Sequence, residues 1–302
     1  MQLLWGIDLG GTKIEGVVLE AGPSFKVLNR LRLPTEADQG YEHIINQIAN
    51  LVNKLATETS ERPTQIGIGT PGSLDPATQL LKNSNTICLN KKPLKADLEA
   101  ALGLSVIISN DANCFALAET LLGIVPEVTP GAEVVVGLIL GTGVGSGIVV
   151  NGKVLQGRQG IAGEWGHNFL DESGGPCYCG RVGCVETILS GPALQRYYTS
   201  LSGEKLTLKE IVARAEAGTD AHAQSTVARL IDFFGRGVAV LVNILDPDAI
   251  VIGGGVGNIP LLYSEGAASV KKYVFNLKPD ISLLKPKLGD SGGVFGAAML
   301  TA

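Results

Sequence analysis

The chain lacks any stripe of basic residues. Its 24 Lys and Arg are outnumbered by 29 Asp and Glu, for a formal net charge of −5. Such a balance suits neither nucleic acid nor an anionic membrane surface, so neither is expected as a partner. It also lacks a disulfide framework. The five Cys are an odd number: Cys88 and Cys114 stand alone, and the other three fall within eight residues. Thiols crowded near a His read as metal ligands in a reducing compartment. The opening stretch MQLLWGIDLG has no basic segment and no cleavage site, so it does not read as a signal peptide. The most apolar stretch, 134–150, holds five Gly and a Thr and fits strand–turn–strand better than a membrane span. A soluble, cytoplasmic protein is expected. Two nucleotide fingerprints are missing as well. No GxxxxGK[ST] occurs, and the GTGVG at 141–145 leads into strand-like IVVN instead of a helix.

What is present suits two α/β domains. The chain has 302 residues, 45% hydrophobic and 18% charged, enough for sizeable cores. Short apolar runs at 3–7, 16–19, 28–34, 65–69, 106–109, 134–140 and 249–252 read as strands. Segments 43–58, 112–122 and 221–245 read as helices, and Thr207-Leu-Lys-Glu210 is a capping box ahead of another. Alternating strands and helices imply sheets covered by helices. A faint internal repeat accompanies them. At an offset of 131, Gly6, Leu9, Gly10, Gly16 and Val18 meet Gly137, Leu140, Gly141, Gly147 and Val149. Both copies read strand, Gly turn, strand.

Forty Gly without a collagen period point to tight turns and close backbone approach to a ligand. Three Gly turns follow strands. In the first, Asp8, Gly10, Gly11, Thr12 and Lys13 offer backbone N–H groups, a hydroxyl and a charge to phosphate, with Asp8 suited to Mg²⁺. The second holds Gly141, Thr142 and Gly143, and the third Gly254 and Gly255. Each alone also fits an ordinary turn; the three together point to nucleotide binding. His167, Cys177, Cys179 and Cys184 are three thiols and an imidazole, the ligand set of a closed structural zinc site. His43 and His222, in polar helical stretches, read as surface residues.

The run GEWGHNFLDESGGPCYCGRVGCVE, with DLGGTK, GTGVGSG and IVIGGGV, resembles the signature of the ROK family (repressor, open reading frame, kinase) across nearly the whole chain. The resemblance implies an actin-like, hexokinase-type (ribonuclease H-like) α/β fold of two domains with ATP and sugar in the interdomain cleft. We place the domains at 1–115 plus 290–302, and at 116–289. It implies an ATP-dependent hexose kinase that moves the γ-phosphate to a sugar hydroxyl, the 6-OH, using Mg²⁺ and a structural Zn²⁺. A homodimer is implied too.

The residue roles follow by matching motifs. Asp111 is the catalytic base and Asn110 a sugar contact, though this Asn-Asp pair equally suits a helix N-cap. Glu164, His167 and Glu186 are sugar contacts, His167 also binding zinc, and Asn85 lies on a sugar-facing loop. The loop KNSNTICLN resembles that of the family's fructokinases, so a hexose of the fructose or mannose type is the first choice, fructose ahead, with glucose also open. N-acetylglucosamine or N-acetylmannosamine is the alternative. The family also contains sugar-responsive repressors with an N-terminal helix-turn-helix; with DLGGT beginning at Asp8, no such domain is expected and a repressor is disfavoured. An actin-like ATPase scaffold gives no reason for the metal cluster.

Overall fold

The computed structural model describes residues 2–22 and 25–302. β1 (Leu3–Leu9) and β2 (Lys13–Glu20) form an antiparallel hairpin with Leu9 opposite Ile14. β3 (Lys26–Pro34) pairs with β2 on its outer side. In α1 (Tyr41–Thr59), Ile44, Ile48, Leu51 and Leu55 recur at helical spacing and are all buried. Then come β4 (Gln65–Thr70), a small hairpin of β5 (Ser73–Leu74) and β6 (Leu81–Lys82), α2 (Leu94–Leu102), β7 (Ser105–Asn110) and α3 (Asp111–Leu121). The chain continues through α4 (Val125–Val128), β8 (Val134–Leu140), β9 (Val144–Val150) and β10 (Lys153–Val154). Helices α5 (Glu186–Leu189), α6 (Gly191–Ser202), α7 (Leu208–Glu216) and α8 (Ala221–Leu245) follow. The last elements are β11 (Ala249–Gly253), α9 (Gly254–Gly257), α10 (Ala267–Lys271), β12 (Leu283–Leu284) and α11 (Gly292–Met299).

The strands and helices expected from periodicity are present, most of them a few residues longer. The repeat is real in the geometry. Shifting β1 by 131 residues gives the bounds of β8. Each copy closes with a three-residue Gly turn, bonded Gly10 N–H to Lys13 C=O at 3.0 Å and Gly141 N–H to Gly143 C=O at 2.9 Å. One sheet has the order β3-β2-β1-β4-β7, the other β10-β9-β8-β11-β12. β4 lies parallel to β1, as β11 does to β8.

The chain divides into two compact units, 1–123 with 147–162 and 288–302, and 124–146 with 163–287. These bounds differ from the expected 1–115 plus 290–302. A cut after 115 would fall inside α3, which packs on α11 within the first unit. The packing is close: a Cβ on Gly296 would stand 1.7 Å from the Cys114 carbonyl oxygen. Segment 147–162 belongs with them, and a Cβ on Gly147 would meet Ala112 C=O at 2.6 Å. The first core holds Trp5, Ile7, Ile44 and Ile68; the second holds Leu138, Trp165, Phe234 and Ile252. Among the described residues, no helix is long and apolar enough to cross a membrane.

Candidate functional site

In the first unit the hairpin turn after β1 is pinned by a residue that no motif marked. Thr35, fully buried, donates its hydroxyl to Gly10 C=O at 2.6 Å and its N–H to Thr12 C=O at 2.9 Å. Asp8, next to last in β1, is partly buried. Its carboxyl is pushed up to about 6 by burial and by the nearby Asp111 and Glu15, against the pull of Lys13. Two carboxylates in a low-dielectric setting are what a divalent cation relieves. A Cβ on Gly293 would come within 2.8 Å of Asp8 Oδ2, so only glycine leaves that carboxylate room. Lys13 Nζ lies 3.8 Å from the buried Glu15, which also pairs with Arg30 and Arg32.

Asn110 and Asp111 stand where β7 gives way to α3. Asn110 is the helix N-cap, its Oδ1 accepting the Ala112 N–H at 2.9 Å. Its amide donates to Gly72 C=O at 3.2 Å. Asp111 is exposed and opens the helix, accepting the same Ala112 N–H at 2.8 Å. An ionised carboxylate is favoured there by the helix dipole. Asn85 is exposed on its loop. Asn90 braces that loop, bonding Ser84 N–H and C=O at 2.9 and 2.8 Å. Buried Thr86 on the same loop stands near the Gly turn, 3.5 Å from where a Gly11 Cβ would be.

The second unit carries the cluster of His167 and three Cys. Trp165 is buried and donates its indole N–H to Gly237 C=O at 3.2 Å, which anchors the turn leading to His167. Metal–ligand arms of about 2.0–2.3 Å give tetrahedral edges of about 3.5–3.8 Å. Here Cys177 Sγ lies 3.7 Å from His167 Nδ1, and Cys179 Sγ lies 3.6 Å from Cys184 Sγ. All four ligand atoms fall within 4.8 Å of one another. Burial and the neighbouring thiols push Cys184 up to about 12, so gathering three thiolates calls for a cation. The residues fit a closed zinc shell. His167 Nε2 is bonded to Tyr178 Oη at 3.0 Å; an outer partner of this kind would orient the imidazole toward a metal. Burial, Glu186, Cys177 and Glu164 raise the Tyr178 phenol to about 12, so the expected sugar-binding carboxylates and His167 are brought together around it.

Glu186 has a second partner that its motif did not announce. Its Oε2 accepts the Val144 N–H at 2.9 Å. A Cβ on Gly143 would stand 2.6 Å from that oxygen, so Gly143 makes way for a carboxylate. Gly191 N–H, at the start of α6, holds Gly141 C=O at 2.8 Å. Beyond the turn opens a cavity of about 850 Å³. Gly141, Thr142 and Gly255 line it, with Leu208, Val212 and Ile259 as apolar walls. Gly254 is not among its lining residues; its φ of 84° and a virtual Cβ 2.3 Å from Leu140 C=O make it a backbone hinge between β11 and α9. His43 pairs with Glu36, and His222 is exposed at the start of α8.

The ROK family model matches residues 4–302. The chain belongs to the ROK family. Among its ROK relatives, the N-acetyl-D-glucosamine kinase of Vibrio parahaemolyticus is 38% identical over 99% of both chains. A ROK hexokinase from Thermus thermophilus superposes with a TM-score of 0.87 at 34% identity, covering 99% of this chain and 97% of that one. A ROK family glucokinase from Streptomyces griseus, solved in complex with glucose and AMPPNP, gives 0.76 at 29% identity and 99% coverage of both. The fold is thus the hexokinase-type, actin-like α/β fold of ROK sugar kinases. The sequence reading of the ROK motifs missed Thr35, Asn90 and Tyr178. Tyr178 alone carried a signal, its position between two ligand cysteines.

Proposed function

We propose that this chain phosphorylates N-acetylglucosamine from ATP, at the 6-hydroxyl. It is an ATP:hexose phosphotransferase of the ROK family. The similarity over full length to N-acetyl-D-glucosamine kinases carries the choice of sugar, which favours the alternative of the sequence reading over fructose.

The two units take separate tasks. In the first, Asp111 accepts the proton of the sugar hydroxyl as its oxygen bonds to the γ-phosphorus and ADP departs. Alignment matters more here than basicity, because phosphoryl transfer is catalysed mainly by position and charge stabilisation. Asn110 and Asn85 offer amides to neighbouring hydroxyls. Asp8 would hold Mg²⁺, which neutralises phosphate charge when bound, while the Gly10–Lys13 turn presents N–H groups, the Thr12 hydroxyl and the Lys13 charge. In the second unit, the 850 Å³ cavity takes the adenosine, with phosphates toward Gly141, Thr142 and Gly255. Glu164 and Glu186 accept hydrogen bonds from sugar hydroxyls, and His167 reaches the sugar through Nε2, the sugar hydroxyl taking the place of Tyr178. Zinc at His167, Cys177, Cys179 and Cys184 would supply structure only, since its shell has no open position.

A coupled assay of the purified chain against N-acetylglucosamine, N-acetylmannosamine, glucose, mannose and fructose tests the reading. The expected result is the highest kcat/KM with N-acetylglucosamine. A tenfold preference for fructose or glucose would sink it.

A further inference from the structure

The first unit contains a second cavity, of about 210 Å³, beside β7. β7 is the edge strand of its sheet, so among the described residues no further strand covers that side. Leu74, Pro76, Ile107 and Ile108 form the apolar part of the lining, and Ser109, Asn110 and Asn113 are among its polar members. The segment around Gly160 closes on β5: a Cβ there would stand 2.7 Å from Leu74 C=O. The cavity therefore lies at the end of β7, next in sequence to Asp111.

Two observations single it out. Ser109 Oγ and Asn113 Oδ1 are, among the described residues, the buried side-chain polar atoms without a hydrogen-bond partner. Both residues line this cavity and are only 6% and 8% exposed. Leaving such a group buried and unpaired forfeits its hydration with nothing in return. Two in one small cavity are better explained by a ligand than by packing. The neighbouring Asn110 shows the contrast, since both ends of its amide are bonded within the unit.

The chemistry narrows the ligand. Asn113 Oδ1 can only accept, so it asks for an N–H or O–H donor. The Ser109 hydroxyl can donate to a carbonyl. Apolar side chains stand beside both, suited to a methyl group. An acetamido group has an N–H, a carbonyl and a methyl in that arrangement. A bare hydroxyl leaves the methyl space and one polar partner unfilled.

We propose that this cavity is the subsite for the 2-acetamido group of the sugar. Asn113 accepts its N–H, Ser109 donates to its carbonyl, and the methyl lies against the Leu74 and Ile107 side. The proposal rests on the N-acetylglucosamine reading and names the residues that select that sugar over glucose.

The test compares kcat/KM for N-acetylglucosamine and glucose in the wild type, Ser109→Ala, Ser109→Val and Asn113→Leu, with circular dichroism as a check of fold. The expected outcome is that the preference for N-acetylglucosamine falls at least tenfold in Ser109→Val and Asn113→Leu, and less in Ser109→Ala. Glucose turnover stays within about threefold in all of them, as expected for a site that rejects ligands lacking its polar partners. An unchanged ratio in folded variants overturns the subsite, as does an equal fall for both sugars. Should Asn113→Leu fail to fold, the two Ser109 variants decide. A wild type without the preference instead removes the reading beneath it, so the two failures are told apart before any variant is made.

Discussion

Asp111 sits close enough to Asp8 to raise that carboxyl's cost of ionisation, yet the tasks proposed for the two differ. Asp111 is exposed at a helix start, where the dipole supports its charge. Replacing it by Asn keeps the helix start and removes the proton acceptor. We expect kcat to fall about 10²–10⁴-fold with circular dichroism and metal content unchanged; substantial residual turnover would take Asp111 out of the base role. Asp8 titrates near 6 in the folded chain and near 3.9 unfolded. Between those values the folded state binds the extra proton, so stability falls as pH rises from about 4 to about 6 and stays lower above. In magnesium-free buffer the loss amounts to at most about 3 kcal/mol. Asp8→Asn should abolish this slope and be the more stable protein at pH 8 in urea titrations across pH. A wild-type curve that rises over that range contradicts the assignment. Magnesium should flatten the wild-type slope by favouring the ionised carboxylate.

The His167, Cys177, Cys179 and Cys184 cluster is the element most fully legible in the sequence, because its members fall between 167 and 184 and close over a short span. Cys179→Ala should therefore lose metal and thermal stability together, since a closed site contributes folding energy. Metal analysis and a melting curve check this; full metal occupancy in the variant would dismiss the cluster. A chelator should lower the melting temperature of the wild type and leave the variant's unchanged. Other elements hid from a local reading. The periodicity of α1 and α8 is plain because each has one buried face. The two-residue strands β5, β6, β10 and β12 are too short to show a period. The helix α6 had readable signals in the Ser190 cap and Pro192, but its function, holding Gly141 through Gly191, lies in a contact 50 positions apart. Glu186 shows the same limit: its motif implied a sugar contact, and the fold adds the Val144 N–H, 42 positions away.

At the scale of the whole chain, an acidic protein with no basic field offers a nucleotide only local attractions, which is why the proposed ATP site relies on backbone dipoles, a metal and a shaped cavity. Binding a non-hydrolysable ATP analogue with magnesium should stabilise the native state by about 2.7 kcal/mol at a hundredfold excess over Kd, read as a rise in melting temperature. Ala213 lines the large cavity and is exposed, so Ala213→Trp fills it without disturbing the core. That variant should lose the shift while its melting temperature without ligand stays near wild type. A full shift in the variant would move the adenosine elsewhere.

The sequence by itself determined the strands and helices with clear periods, the two Gly hairpins 131 residues apart, the grouping of His167 with three Cys and the family. All of these are local patterns, or repeats of one. Only the tertiary structure decided which groups are already committed: Asn110 to Gly72, Glu186 to Val144, Thr35 to the first Gly turn. It alone gathered Ser109 and Asn113 around one cavity with Leu74 and Gly160. Those partners are brought together by the order of strands in the sheet, with β1 between β2 and β4 and β7 at the edge. Strand order joins segments tens of residues apart, so no short stretch of sequence contains it.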